Sequence, residues 1–164
     1  MKELFVIRHA KSSWSNPSLT DFDRPLNDRG LHDAPMMAKV LKEEGIVPDQ
    51  IVSSSANRAK STAQYIANGL GIDESSLVFK REIYEASYST LLDLINNFDD
   101  RYKRIFIFGH NPTFTYLAER LGGEYIGNLP TCGIVGLRFE LDSWKMVSAG
   151  SGSQFYYDYP KRHK

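Results

Sequence analysis

Short, unbroken apolar runs separated by stretches of helical periodicity set the pattern of this chain. Residues 4–7 (Leu-Phe-Val-Ile) and 105–108 (Ile-Phe-Ile-Phe) contain no polar position, which predicts two central strands buried on both faces. Both runs break off into polar residues: Arg8-His9 after the first, Gly109-His110-Asn111-Pro112 after the second. Ile51-Val52 reads as a shorter strand running into Ser53-Ser54-Ser55, and residues 77–80 as a weak one. Between the strands, Met36, Met37, Val40 and Leu41 recur at helical spacing. They predict a helix from an Asn27 cap to about Glu44, closed by Gly45, with Pro35 implying a kink or a true start near Ala34. Further helices are predicted over 57–69, over 90–98 behind Ser87 or Ser89, and from Pro112 to Leu121 with Asn111 as cap and Gly122-Gly123 as stop. Residues 133–141 and 144–149 read as an edge hairpin turning at Asp142-Ser143. The last ten residues are aromatic and then basic, suited to docking on the domain or touching a partner. Strands alternating with helices predict an α/β fold with a mostly parallel sheet, and 164 residues suit a single domain spanning 1–164.

Composition narrows the function classes. Lys+Arg and Asp+Glu both total 20, so no global field attracts nucleic acid or an anionic membrane surface, and any pull on anions is local. No apolar run approaches the ~20 residues of a membrane span, and no secretory leader pattern opens the chain. The one cysteine, Cys132, forms no internal disulfide, reads as a structural residue and fits a cytoplasmic location.

Candidate chemistry gathers at three strand ends. Arg8-His9, Arg58 and His110 follow successive strands at intervals of about 50 residues, room for a helix, a loop and a return strand. If the strands are parallel neighbours, two arginines and two histidines meet at one sheet edge, where open α/β sheets bind ligands. Several unpaired cations in one place are costly to bury, and an anion resolves the conflict. Arginine forks match phosphate oxygens, and the helix starts after Ser55 and Asn111 add amide donors. Arg8 beside His9 would repel a divalent cation, and neither a dinucleotide fingerprint nor a P-loop follows a strand. No metal or other cofactor is expected. In such a pocket a neutral imidazole can attack phosphorus and form a phosphohistidine that water hydrolyses. The group that holds the other ring nitrogen of His9 cannot be read from the sequence.

Arg-His-Ala after the first strand, Ser-x-x-x-Arg-Ala-x-x-Thr-Ala at 54–63 and Gly-His-Asn-Pro at 109–112 resemble the histidine phosphatase superfamily. The short chain, Asp23-Arg-Pro-Leu26, Tyr84-Glu-Ala-Ser87 and Pro130-Thr131 resemble its SixA-type phosphohistidine phosphatases. The resemblance implies a phosphoglycerate mutase-like three-layer α/β/α sandwich, with His9 as nucleophile and Arg8, Arg58 and His110 as the phosphate pocket. Ala10 replaces the glycine usual in that motif. Ser15 and Asn111 are implied as further substrate contacts, Ser15 standing near a position where mutase-type members carry Asn. Glu82 is the positional match for a general acid, with Glu85 as the alternative. His32 and His163 lie outside the motifs and are expected to be exposed and non-catalytic. Lys11, Ser12 and Trp14 belong to the loop after the nucleophile, where they could border the pocket, with packing the equal alternative for Trp14.

The implied activity is metal-independent dephosphorylation of phosphohistidine in a protein. Small-molecule phosphomonoester hydrolysis is the alternative enzyme reading, and a phosphate-binding module without turnover is the non-enzyme one. The expected partner is a phosphorylated protein or small phosphorylated substrate, with no nucleic acid and no membrane. Oligomeric state is not legible.

Overall fold

The computed structural model describes residues 1–164. Its strands are β1 (Lys2–Arg8), β2 (Gln50–Ser54), β3 (Val78–Lys80), β4 (Arg104–Gly109), β5 (Ile134–Phe139) and β6 (Gly152–Asp158). Its helices are α1 (Asp28–Glu43), α2 (Asn57–Gly69), α3 (Tyr88–Asn96) and α4 (Thr113–Gly122). One sheet has the order β3-β2-β4-β1-β5-β6, with parallel pairing from β3 to β1 and antiparallel pairing of β5 with both of its neighbours.

The apolar runs work as the pattern predicts. Along β1, Leu4 and Val6 face one core with Leu91 and Ile95 of α3 and Leu117 and Leu121 of α4. Phe5 and Ile7 face the other, with Met37 and Leu41 of α1 and Ala63 and Ile66 of α2. The result is a three-layer α/β/α sandwich in which the apolar runs 4–7 and 105–108 of the central strands are fully buried on both faces. No helix is long and apolar enough to cross a membrane.

Local chemistry explains most element ends. The Asn27 side chain accepts the Gly30 amide and starts α1, and Gly45, at φ 71°, follows its end. Contrary to a start near Ala34, α1 runs through Pro35 from Asp28. Asn27 fixes the first turn, so the proline is carried inside a helix already begun. Ser87, not Ser89, caps α3 by accepting the Thr90 amide.

The edge hairpin is real but its second strand is displaced. Residues 144–146 form one 3-10 turn, and the partner of β5 is β6 at Gly152–Asp158. Trp144 is wholly buried and its indole donates to the Tyr102 carbonyl at 2.9 Å, so tertiary packing overrides the local alternation. The aromatic ending is therefore largely an edge strand: Phe155 and Tyr156 lie 5.6 and 5.8 Å, centroid to centroid, from Phe5.

Candidate active site

The carboxyl ends of β1, β2 and β4 lie side by side. β1 delivers Arg8 and then His9, β4 delivers His110, and β2 leads through residues 54–56 into α2, whose second residue is Arg58. The His9 and His110 rings are 5.3 Å apart. A cavity of about 370 Å3 opens beside His110, lined also by Asp21, Arg58, Tyr84 and Glu85, with His9 and Arg8 outside its lining. Its far wall is apolar, with Leu91 and Phe114.

His9 is held from several sides. Its amide donates to the Gly109 carbonyl at 3.1 Å, and its carbonyl accepts the Cys132 amide at 3.0 Å. The amide of Ala10 donates to Thr62 Oγ1 at 2.9 Å, and that hydroxyl donates to the Arg58 carbonyl at 2.7 Å. The third motif position and α2 are thereby clamped together. His9 Nδ1 lies 2.7 Å from the Ala10 carbonyl oxygen. A carbonyl only accepts, so Nδ1 carries the proton and Nε2 keeps its lone pair. Burial, reinforced by His110, Arg58 and Arg8, pushes His9 down to about 3, although the Ala10 bond pulls the other way. The imidazole is neutral at pH 7.

The surrounding groups are cationic or donor-rich. Arg8 Nη1 donates to the Leu129 carbonyl at 2.9 Å, whereas its Nε is buried without a partner in the chain. Burial first, and Arg58 second, lower the Arg8 pKa. His110 Nε2 sits 2.8 Å from Ser54 Oγ, and its Nδ1 is buried without a partner. Burial and the two arginines bring His110 down to about 4 against the opposing pull of Asp21. Arg8 Nε–H, and His110 Nδ1 in the tautomer whose Nε2 accepts from Ser54 Oγ, are buried donors without a partner, which suits an anion.

Asp21, which no sequence motif contains, completes the site with Tyr84 and Arg24, which stand in sequence motifs that predict no role for them. Asp21 Oδ2 accepts from Arg58 Nη2 at 3.0 Å and from the Tyr84 hydroxyl at 2.6 Å, and Oδ1 accepts from Arg24 Nη1 at 2.9 Å. The Asp21 carbonyl also accepts from Arg58 Nη1 at 2.6 Å. The Tyr84 bond foremost, with Arg24 and Arg58, holds the Asp21 carboxyl far below its ordinary range. Burial and Asp21 push Tyr84 up to about 12. Asp21 belongs to a 15-residue polar stretch with no periodicity, and only the fold brings it to Arg58. The Asp23-Arg-Pro-Leu motif, two residues on, was the available signal.

The remaining expected residues divide. Glu82 faces a separate hollow with Lys80 and Asp93, whereas Glu85 lines the cavity at φ 56°. Of the two acid candidates, only Glu85 adjoins the site. Ser15 is exposed and hydrogen-bonded to Ser13 Oγ at 2.8 Å, outside the cavity lining. Asn111 borders the cavity, but its amide oxygen accepts from the Thr115 amide and hydroxyl and its Nδ2 donates to Asn128 and Leu129. Its side chain is committed to holding α4 and the 128–129 segment. α4 itself starts one residue later than expected, at Thr113. Trp14 stacks on the Arg24 guanidinium at 3.2 Å. His163 bonds Asp158 at 2.8 Å, and Cys132 is buried.

Comparison with known proteins agrees with this geometry. The profile of the histidine phosphatase superfamily (branch 1) matches residues 4–106. A chloroplastic Arabidopsis thaliana protein, itself uncharacterized, is 33% identical over 159 residues, covering 92% of this chain and 72% of its own. The 2,3-bisphosphoglycerate-dependent phosphoglycerate mutase of Bartonella tribocorum is 32% identical over 95 residues, only 57% of this chain and 46% of the mutase. Among solved structures, a candidate phosphohistidine phosphatase SixA from Agrobacterium tumefaciens has a TM-score of 0.81 at 29% identity, over 97% of this chain and 98% of that one. A protein histidine phosphatase SixA complexed with tungstate has the same TM-score at 21% identity, over 99% of both chains, and so shares the fold.

Proposed function

Because the chain belongs to the histidine phosphatase superfamily, a class working through a histidine nucleophile, we propose that His9 is that nucleophile and phosphohistidine in a protein its substrate. Residues 1–164 act on this reading as one phosphatase domain. The observation that carries the assignment of His9 is its tautomer: the Ala10 carbonyl holds the Nδ1 proton at 2.7 Å. Nε2 is thereby left as the attacking atom in a site of donors.

The steps follow from the groups present. The substrate's phosphoryl group lies among Arg8, Arg58 and His110, whose N–H groups take up charge on the equatorial oxygens as the transition state forms. Nε2 of His9 bonds to phosphorus while the bond to the leaving group breaks, giving phospho-His9. Water then attacks phosphorus, releases inorganic phosphate and returns the neutral imidazole. Arg8 Nε–H, buried and unpartnered, gains its acceptor only when the phosphoryl oxygens arrive.

Two observations support a phosphohistidine substrate. The SixA protein of A. tumefaciens matches along nearly the whole chain, and the carboxylate nearest the phosphate groups, Asp21, is held ionised and cannot protonate an alkoxide. Glu85 in the cavity lining favours a second reading, hydrolysis of a phosphomonoester with Glu85 as the acid.

The test is turnover by chelator-treated enzyme on a phosphohistidine peptide beside a panel of phosphomonoesters, in wild type and His9→Ala. Fastest cleavage of the P–N substrate, with a dead His9→Ala, is expected. Preference for a monoester would move the assignment to the second reading, and no turnover by wild type would leave only phosphate binding.

A further inference from the structure

Asp21 puts a fixed carboxylate where a leaving group must lie. With the phosphoryl group among Arg8, His9, Arg58 and His110, the space left to the rest of the substrate is the cavity that Arg58 and His110 line together with Asp21, Tyr84, Ala86, Leu91 and Phe114. The departing part of the substrate occupies that space. A carboxylate offers about four acceptor positions. Three are used by Arg24, Arg58 and Tyr84, and the Asp21 side chain is 45% exposed, so one position remains open to the cavity. We infer that Asp21 is a specificity-determining residue, accepting a hydrogen bond from the free ring nitrogen of the substrate's phosphohistidine and holding that ring protonated. This inference rests on the phosphohistidine reading above.

The chemistry balances without a proton donor. As His9 Nε2 bonds to phosphorus, the P–N bond of the substrate breaks and its electron pair stays on the leaving nitrogen. The opposite nitrogen keeps its proton, and a neutral imidazole departs. An imidazole nitrogen titrates near about 6.5, so above that pH the free substrate mostly lacks this proton. A carboxylate at hydrogen-bond distance favours the protonated ring. A phosphomonoester gains nothing from such a residue, because its leaving oxygen needs a proton that an ionised Asp21 does not have.

The charged and titratable groups facing Asp21 are Arg24 from its own loop, Arg58 from α2, Tyr84 and Glu85 from the segment after β3, and His110 from the end of β4. Asp23, two residues on, turns to Thr20 Oγ1 at 2.9 Å. Tyr84 foremost, with Arg24 and Arg58, keeps Asp21 ionised, and His110 is neutral through this range, so the pH response belongs to the substrate ring.

The experiment measures kcat, which reports the bound complex, from about pH 6 to about pH 9 on a phosphohistidine peptide and on a phosphoserine peptide of the same sequence. For wild type, the alkaline fall in kcat on phosphohistidine should lie about one pH unit above the titration of the free peptide's ring, followed by NMR. In Asp21→Asn that fall should move back to the free ring's pKa. The variant's kcat near pH 8 then drops about tenfold on phosphohistidine, well beyond any drop on phosphoserine. Asp21→Glu, which keeps the charge, should retain the wild-type profile. Equal loss on both substrates at every pH would show that Asp21 only positions Arg58, and overturns the inference. A wild-type fall coinciding with the free ring's pKa overturns it without any variant. Wild type that hydrolyses phosphoserine and no phosphohistidine would instead sink the substrate reading beneath it.

Discussion

His9 is buried and His110 half-buried, both as neutral imidazoles, and this makes the fold sensitive to acid. Their folded pKa values, about 3 and about 4, lie below the ordinary histidine value of 6.5, so the unfolded chain binds more protons between those limits. Stability is fully present above pH 6.5 and is lost as pH falls through the window towards 4 and 3. At pH 5 the loss is on the order of 2 kcal/mol for each histidine relative to pH 7. Urea unfolding at the two pH values should show it, and His110→Asn should reduce the difference; an unchanged difference would mean that His110 does not titrate this way. Thr62 acts at the same scale. Replacing it with Val leaves the Ala10 amide without its acceptor, a loss of about 1–3 kcal/mol, and should lower kcat through a misplaced His9. Unaltered kcat and melting temperature in Thr62→Val would show that the clamp on the nucleophile loop is dispensable. Glu82→Gln should keep monoester hydrolysis within about twofold of wild type, as expected of a surface site, while Glu85→Gln lowers it if a carboxylic acid takes part. Equal effects would contradict the placement of Glu85 alone beside the cavity.

At the scale of elements, α1 is placed by a close approach to the loop after His9. A Cβ on Gly30 would overlap the Lys11 carbonyl oxygen, and the Asn27 amide also donates to that oxygen at 3.0 Å. Gly30→Ala must therefore push α1 from the loop, at about 1–3 kcal/mol, and thermal melting should register it together with reduced turnover. A variant as stable and active as wild type would mean that the loop yields freely. The same scale shows what the sequence could disclose. Residues 4–7 and 105–108 were legible as double-faced strands because every position in them is buried. Arg8, His9, Arg58 and His110 were legible as one group because each follows a strand at similar spacing. Asp21 and Tyr84 were not, since they reach Arg58 only through the fold of an aperiodic loop and a single 3-10 turn. Residues 144–149 misled because Trp144 anchors its turn through Asp100 and Tyr102, partners more than 40 positions away.

In the molecule as a whole, the sheet order puts β4 between β1 and β2, so three segments far apart in sequence end at one edge. Two cores, one on each face, fix the strands that carry these ends. Arg8, His9 and His110 are thus held by the centre of the fold, whereas the cavity beside them draws Asp21 and residues 84–86 from the loops after β1 and β3, and Leu91 and Phe114 from α3 and α4. Chemistry at His9 should depend on the sheet, and substrate preference on those loops. On the proposed mechanism phosphate passes through His9, and the covalent intermediate can be trapped there. Wild-type enzyme quenched during turnover of a phosphohistidine peptide should carry an acid-labile, alkali-stable phosphoryl group that peptide mapping places on His9, with none on His9→Ala. A phosphoryl group on another residue, or undiminished turnover by His9→Ala, would contradict the account.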